Sequence, residues 1–368
     1  MGSDEGLTHS GVRHAGRGRK KTGRCLLVGA AVSLFLGTVL LAAATAWYAS
    51  YGSPPPPVLP PAGKTINASS PFLFAMLADS RGNGSICEEI IKEIQAEKVS
   101  LILHGGDLVL RESRRHFDWV LHELDEERLD VPFCAVAGNH DLGGRSKGQE
   151  AAYASYTRAF GPRHYWFRCA NALFVALDTA PGSFSKDEQK WLDDTLTLHR
   201  PDCAACFVFT HYPPRDPRPK GFHGMHKGGE ALVALLKKHR VSALLASHIH
   251  GYLEDNVEGI PVFITGGGGA KLEEGFDKYH YLLCTVEADG SFKCWRNDMG
   301  ETSNADMLEY QFYVSFPLVP AALAAAAFLA LGVALLVWRR KKARRREQGK
   351  FTITDTLTPG SSSSRPPE

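Results

Sequence analysis

Carboxylate, amide and imidazole side chains recur in this chain just after short apolar runs. Asp79 follows one run, and Asp107 follows the next in a Gly-Gly-Asp sequence. A third run ends in Gly-Asn-His-Asp, which supplies Asn139, His140 and Asp141. A later run ends at His211, and another in Ser-His-Ile-His-Gly, which supplies His248 and His250. Singly, each has an ordinary explanation. An Asp after a strand is commonly a turn former or a helix cap, and a lone His at a strand end is commonly a hydrogen-bonded structural residue. The ordered set asks for more. Ligands collect at the carboxyl ends of strands in α/β folds, and this mixture of donors suits Mn, Fe or Zn. Two such cations bridged by a shared carboxylate can clamp a phosphate and ionise a water.

Gathering those side chains requires an alternating architecture, and the chain has its pattern. Residues 72–79, 99–107, 131–138, 172–179, 205–211 and 241–248 read as buried strands. Between them, residues 85–98, 113–127, 185–199 and 227–239 read as amphipathic helices. That order predicts an α/β domain over 70–300 with sheets covered by helices. Its end differs: residues 261–269, 279–290 and 291–295 read as strands joined by tight turns, with Ala-Asp-Gly-Ser at 288–291 as a hairpin signal. Such a hairpin would bring Cys284 near Cys294, close enough for a disulfide if the Cβ geometry allows. His104, inside its strand, reads as structural.

The order Asp79, Gly106-Asp107, Gly138-Asn139-His140-Asp141, His211, His248-Ile249-His250 resembles the calcineurin-like metallophosphoesterase superfamily. The resemblance covers about Phe72 to Trp295, and Thr-Gly-Gly-Gly-Gly-Ala at 265–270 adds to it. It implies a four-layer sandwich of two mixed β-sheets flanked by helices. It also implies two divalent or Fe/Mn/Zn-type metal ions and hydrolysis of a phosphomonoester or phosphodiester by a metal-bound hydroxide. By the same resemblance, Asp107 bridges the metals. Asn139, His211 and His248 complete one site, and Asp79 and His250 belong to the other. His140 contacts the phosphate and protonates the leaving group, and Asp141 holds that imidazole in its useful tautomer.

One position departs from the family. Its first motif is usually Asp-x-His, and here it is Asp79-Ser80-Arg81. A guanidinium stays protonated and cannot ligate a cation. Water or a neighbour could complete the second site, only the Asn139–His211–His248 site could fill tightly, or Arg81 could bind the substrate phosphate. The first is the expectation here, with Arg81 near the phosphate.

Two basic stretches adjoin these motifs: Arg111, Arg114 and Arg115, then Arg215, Arg218, Lys220, His223, His226 and Lys227. They fit either an anionic substrate or an ordinary solvated surface. The net charge of +2 gives no support to bulk nucleic-acid binding, and no nucleic-acid-binding module is evident. The eight cysteines permit a few disulfides without defining the fold. Cys203 and Cys206 read as core thiols or one local disulfide rather than a redox or zinc motif.

Leu26 to Tyr48 and Phe316 to Trp338 carry no charge, and each is long enough to cross a bilayer. Arg and Lys cluster before the first run and after the second, so both termini are expected inside and the domain between them outside. A cleaved signal peptide is the competing explanation of the first run, which is longer than a usual signal core. The organisation read from this is a disordered basic cytoplasmic tail (1–24), a transmembrane helix (25–49), a Pro-rich linker (50–69) and the metallophosphoesterase domain (70–300). A linker (301–315), a second transmembrane helix (316–338) and a basic disordered tail (339–368) complete it. The partners implied are a phosphoester substrate and a lipid bilayer. The functional alternatives are a phosphate-binding or signalling membrane protein with a degenerate metal site, and a membrane scaffold, which would leave the ordered donor set unexplained. Asn67-Ala-Ser and Asn83-Gly-Ser would be glycosylation sequons in a eukaryotic secretory compartment.

Overall fold

Long apolar runs free of polar residues become strands buried on both faces, and alternating runs become edges. A computed structural model describes residues 15–143, 149–300, 307–316 and 318–354. Its strands are β1 (Thr65–Ile66), β2 (Phe72–Leu77), β3 (Ile102–His104), β4 (Phe133–Ala135), β5 (Tyr165–Cys169) and β6 (Ala172–Leu177). They continue with β7 (Ala205–Thr210), β8 (Ala243–Ala246), β9 (Tyr252–Val257), β10 (Ile260–Thr265), β11 (His280–Val286) and β12 (Phe292–Asp298). The helices are α1 (Ala15–Ser50), α2 (Gly84–Ala96), α3 (Arg114–Glu126), α4 (Gln149–Ala152), α5 (Ala154–Phe160), α6 (Lys186–His199), α7 (Gly229–Lys238), α8 (Met307–Ser315) and α9 (Leu318–Thr354).

The chain divides into two units, Ser53–Val314 and the two terminal segments together. In the first unit, one sheet runs β1-β5-β6-β7-β8-β10-β9 and the other β12-β11-β2-β3-β4. Both are mixed: β2, β3 and β4 are parallel, as are β6, β7, β8 and β10, while β11, β12, β5 and β9 bring antiparallel pairs. Phe74, Met76, Leu103, Phe174, Phe207 and Leu282 belong to the core between the sheets. Phe174 stacks on Phe167 and Phe207 there, each at 5.2 Å. On one outer face α2, α3 and α5 pack with Ile90, Phe117 and Phe160; on the other, α6 and α7 pack with Leu192 and Leu232. The result is the expected four-layer α/β sandwich. Local signals hold the helices: Ser113 caps α3, and Ser185 with Glu188 forms a capping box on α6. Cys284 and Cys294 face each other across β11 and β12 and form a disulfide. Cys203 and Cys206 are buried free thiols.

Four expectations are corrected. The 50–69 stretch is not all linker, because β1 pairs in parallel with β5 and extends a sheet. The 301–315 stretch contains α8, whose Tyr310 and Tyr313 pack on Trp119 of α3; residues 301–306 lie outside the described part. Residues 15–24 and 339–354, read as disordered, are helical within α1 and α9, and 1–14 and 355–368 are outside the described residues. Asn83 is buried and donates through Nδ2 to the Gly269 carbonyl, so the folded domain offers no sequon there.

In the second unit, Ala31–Ser50 is, among the described residues, the stretch long and apolar enough to cross a membrane, with mean hydropathy 1.7. The hydroxyls of Thr38 and Thr45 donate to carbonyls one turn back, at 2.8 and 2.7 Å. Their polarity is thus satisfied within the helix, as hydrocarbon would demand. The 316–338 run falls in α9, apart from Phe316 and Pro317, which precede it.

Candidate metal centre

Parallel strands deliver their carboxyl ends to one rim, and the two sheets share it. Asp79 follows β2, Asp107 follows β3 and Asn139 follows β4, while His211 follows β7 and His248 follows β8. Contacts join the loops across the sheets. The Ser247 hydroxyl and the His211 Nδ1–H both donate to the Gly105 carbonyl. The His248 N–H donates to Asp79 Oδ2 at 3.1 Å. Space for this closeness comes from glycine: a methyl on Gly106 (φ +94°) would come within 2.6 Å of Gly138 N, and one on Gly138 would fall on Asp107. Asp79, Asp107 and His248 sit at φ +60°, +56° and +72°. For non-glycine residues that conformation costs roughly 1–2 kcal/mol each, strain of the kind found at functional sites.

Carboxylate oxygens of Asp79 and Asp107 and a nitrogen of His211 lie within 4.8 Å of one another, and all three residues are buried. Around His211 Nε2 stand Asn139 Oδ1 at 3.0 Å, His248 Nδ1 at 3.2 Å and Asp107 Oδ1 at 3.5 Å. The Nδ1 of His211 donates to the Gly105 carbonyl, which turns Nε2 towards these three atoms. With a neutral His211 in that tautomer, its Nε2 lone pair faces the two oxygens. Acceptors so arranged repel unless a cation sits between them, and ligands about 2.1 Å from a metal stand roughly 3.0–3.4 Å apart. The donor set therefore fits a metal ion. His250 and His140 are held in the same manner: each Nδ1 donates to a carbonyl, Lys271 at 2.7 Å and Leu110 at 2.8 Å, which fixes the ring. His250 Nε2 is 3.5 Å from Asp79 Oδ1, an oxygen with no hydrogen-bond partner.

Two of these groups, His248 and Asp107, are shifted in the direction that suits this use, while Asp79 raises His250 against its burial. Burial, with His211 beside it, pushes His248 down to about 2, so it stays neutral. Burial alone would raise Asp107, but His211 and Arg81 outweigh it and hold the carboxyl below its usual value. Neutral imidazoles and ionised carboxylates are what a cation requires.

One assignment from sequence comes out differently, and two open questions gain contacts. Asp141 does not touch the His140 ring: its carboxylate accepts the N–H groups of Gly138, Leu108 and Val109, at 2.8, 3.3 and 3.1 Å. It shapes the turns that carry Asp107 and His140, and the Leu110 carbonyl sets the His140 tautomer. Arg81 turns inward, with Nε and Nη2 donating to Asp107 Oδ2 at 3.1 and 2.9 Å. Of the second basic stretch, Arg215 is engaged by Asp255, and Arg218 by Asp216 and Glu273. That favours the surface explanation for those two. Arg111 lines an open hollow of about 350 Å³ with His140, Asn139 and Glu112. Sequence reasoning missed Tyr212, whose ring lies 3.8 Å from that of His248; its place directly after His211 was the available signal. His104 is buried within β3, as expected.

Two facing mixed sheets whose loops bring carboxylate, amide and imidazole donors to a common rim define a phosphoesterase-type α/β sandwich. Residues 74–252 match the family model of calcineurin-like phosphoesterases. That match runs from β2 to the start of β9, through every loop that carries a donor residue. The chain is 22% identical over 192 residues to the serine/threonine-protein phosphatase CPPED1 of Rattus norvegicus, covering 48% of this chain and 59% of that protein. It is 24% identical over 170 residues to a probable cyclic nucleotide phosphodiesterase of Xenorhabdus bovienii, covering 45% and 66%. The match thus spans less than two thirds of either relative. In fold it is similar to the purple acid phosphatase PPD1 from yellow lupin (Lupinus luteus) seeds, with TM-score 0.53 and 16% identity over 64% of this chain and 53% of that one.

Proposed function

We propose that this domain hydrolyses a phosphoester with a metal held by Asp107, Asn139, His211 and His248, on the non-cytoplasmic side of a membrane. The observation that carries this reading is the approach of Asn139 Oδ1, His248 Nδ1 and Asp107 Oδ1 to His211 Nε2, at 3.0, 3.2 and 3.5 Å. A cation bound there supplies Lewis acidity to a phosphoryl oxygen and acidifies a water. The protein's own part is positional. Asp107 and its three neighbours hold the ion. Fixed through Nδ1, His140 presents Nε2 beside the open hollow, where it can contact the phosphoryl group and deliver a proton to the leaving oxygen. Asp79 and His250 extend the donor row.

The membrane part of the reading rests on Ala31–Ser50, the apolar 316–338 run and the basic flanks outside both. The Cys284–Cys294 disulfide accords with an oxidising compartment. Two spans with both termini cytoplasmic account for all three. A lipid-linked phosphoester is compatible with such an anchor.

The test uses the purified chain with added Mn²⁺ or Fe²⁺, p-nitrophenyl phosphate and its bis-ester. Turnover of at least one ester is expected, abolished by chelation. His140→Ala should lower it by roughly 10²–10⁴-fold while metal content stays unchanged. Phosphate binding without turnover of either ester or of a phospholipid would favour the receptor alternative instead. Unchanged turnover in His140→Ala would remove His140 from the site.

A further inference from the structure

The two oxygens of Asp107 are divided between two cationic roles. Oδ1 faces the four-donor cluster, 3.5 Å from His211 Nε2, and accepts the His140 N–H at 2.8 Å. Oδ2 accepts both Nε and Nη2 of Arg81. This pairing is built into the backbone. Arg81 sits at φ +49°, its N–H donates to the Asp107 carbonyl at 2.9 Å, and the next N–H, of Gly82, donates to Leu108. The two loops run side by side, so the guanidinium is delivered to that carboxylate by the turn itself.

We propose that Arg81 is the resident cation of the second metal position, so that the chain holds one metal ion per molecule. The inference rests on the metal-dependent reading above and narrows it. What remains on the second side is thin. On that side stand the Asp79 carboxylate, whose Oδ2 accepts the His248 N–H, and His250 Nε2, 3.5 Å from Asp79 Oδ1. The Asp107 oxygen left for a second ion, Oδ2, is taken by a group that is always charged and cannot ligate. A second divalent ion would have to displace the guanidinium from Asp107 and then sit beside its positive charge. The first cluster meets neither obstacle: Asn139, His248 and the Oδ1 of Asp107 approach His211 Nε2 with no guanidinium at that oxygen. In this arrangement the guanidinium balances the charge of Asp107. Its Nη1 donors, which make no hydrogen bond or ion pair among the described residues, are left for a phosphoryl oxygen, a positioning role.

The experiment is metal analysis of the full chain, loaded with excess Mn²⁺ and freed of unbound ion by gel filtration, beside Arg81→His, which restores an imidazole. One Mn per chain is expected in the wild type and two in Arg81→His. Two per chain in the wild type would overturn the inference and leave the metal-dependent reading standing. One per chain in both proteins would also overturn it, since the guanidinium would not be what excludes the second ion. No bound Mn in either would sink the metal-dependent reading, and the inference with it. Should Arg81→His not fold, electron paramagnetic resonance of the Mn-loaded wild type decides alone. The hyperfine pattern of an isolated Mn(II) supports one ion, and that of an exchange-coupled pair overturns it.

Discussion

His104 is a titratable group held where it cannot readily ionise. Its Nδ1 accepts the Gly106 N–H at 3.2 Å, so Nε2 bears the proton and faces the Ser80 hydroxyl at 3.3 Å. Protonating Nδ1 would break the turn that presents Asp107. Burial, opposed by Asp107, pushes the imidazole down to about 3. In the unfolded chain His takes up its proton near pH ~6.5. Below that pH the unfolded state binds one more proton than the folded state, so stability must fall as pH drops from about 6.5 towards 3, by ~1.4 kcal/mol per unit from this group. His104→Gln should flatten that part of the stability profile, measured by urea unfolding between about pH 6.5 and 4; parallel profiles for the two proteins would contradict it. Residues of this kind mark how far a sequence can be read. Asp79, Asp107, Asn139, His211, His248 and His250 were legible because each ends an apolar run and their chemistry is complementary. The partner of His140 was not, because a backbone carbonyl has no letter in the sequence. Asp141 misled for the same reason: its carboxylate bonds to three main-chain N–H groups. Nor did Arg81 announce the direction in which it points, which depends on the left-handed turn beneath it.

Among the elements, long uniform patterns were readable and short or mixed ones were not. The runs that became β2, β6, β7 and β8, and the amphipathic stretches that became α2, α3, α6 and α7, carry their period in the side chains. By contrast, β5 places Trp166 and Arg168 on its half-buried side, and β9, at a sheet edge, carries Glu254, Asp255 and Asn256. Neither has the continuous apolar run used to recognise a strand. In the same way α8 reads as the approach to the following apolar run until Tyr310 and Tyr313 are seen packed on α3. Between elements, the decisive contact is that of the turns after β3 and β4, where Gly106 and Gly138 let two backbones touch. Gly138→Ala places a methyl against Asp107 N and its carboxylate, groups that cannot withdraw without moving the cluster. Overpacking of this kind costs about 1–3 kcal/mol. The expected result is a lower denaturation midpoint together with reduced Mn²⁺ content. Full metal content at wild-type stability would show that the two turns do not depend on each other's closeness.

For the molecule as a whole, basic residues gather towards the two ends of the chain. The net charge of +2 sums a basic N-terminal stretch, a basic C-terminal stretch and a mixed domain between them. A bilayer turns that distribution into an orientation, because Lys and Arg near a span stay on the cytoplasmic side. The first run has Arg19, Lys20, Lys21 and Arg24 before it, and the second has Arg339, Arg340, Lys341 and Lys342 after it. If each signal orients its own run, both runs cross, since a single crossing would leave one basic cluster outside. Sealed vesicles with the cytoplasmic face inward separate these cases when tags at both ends are followed during external proteolysis. Two crossings predict that the 53–314 domain is cut while both tags survive. If the 316–338 run does not cross, the C-terminal tag is lost with the domain. If the first run is a cleaved signal, the N-terminal tag is absent from the mature chain before protease is added, and the C-terminal tag survives. Loss of both tags with an intact domain would reverse the orientation and put the metal centre in the cytoplasm, where the Cys284–Cys294 disulfide has no oxidising compartment to maintain it.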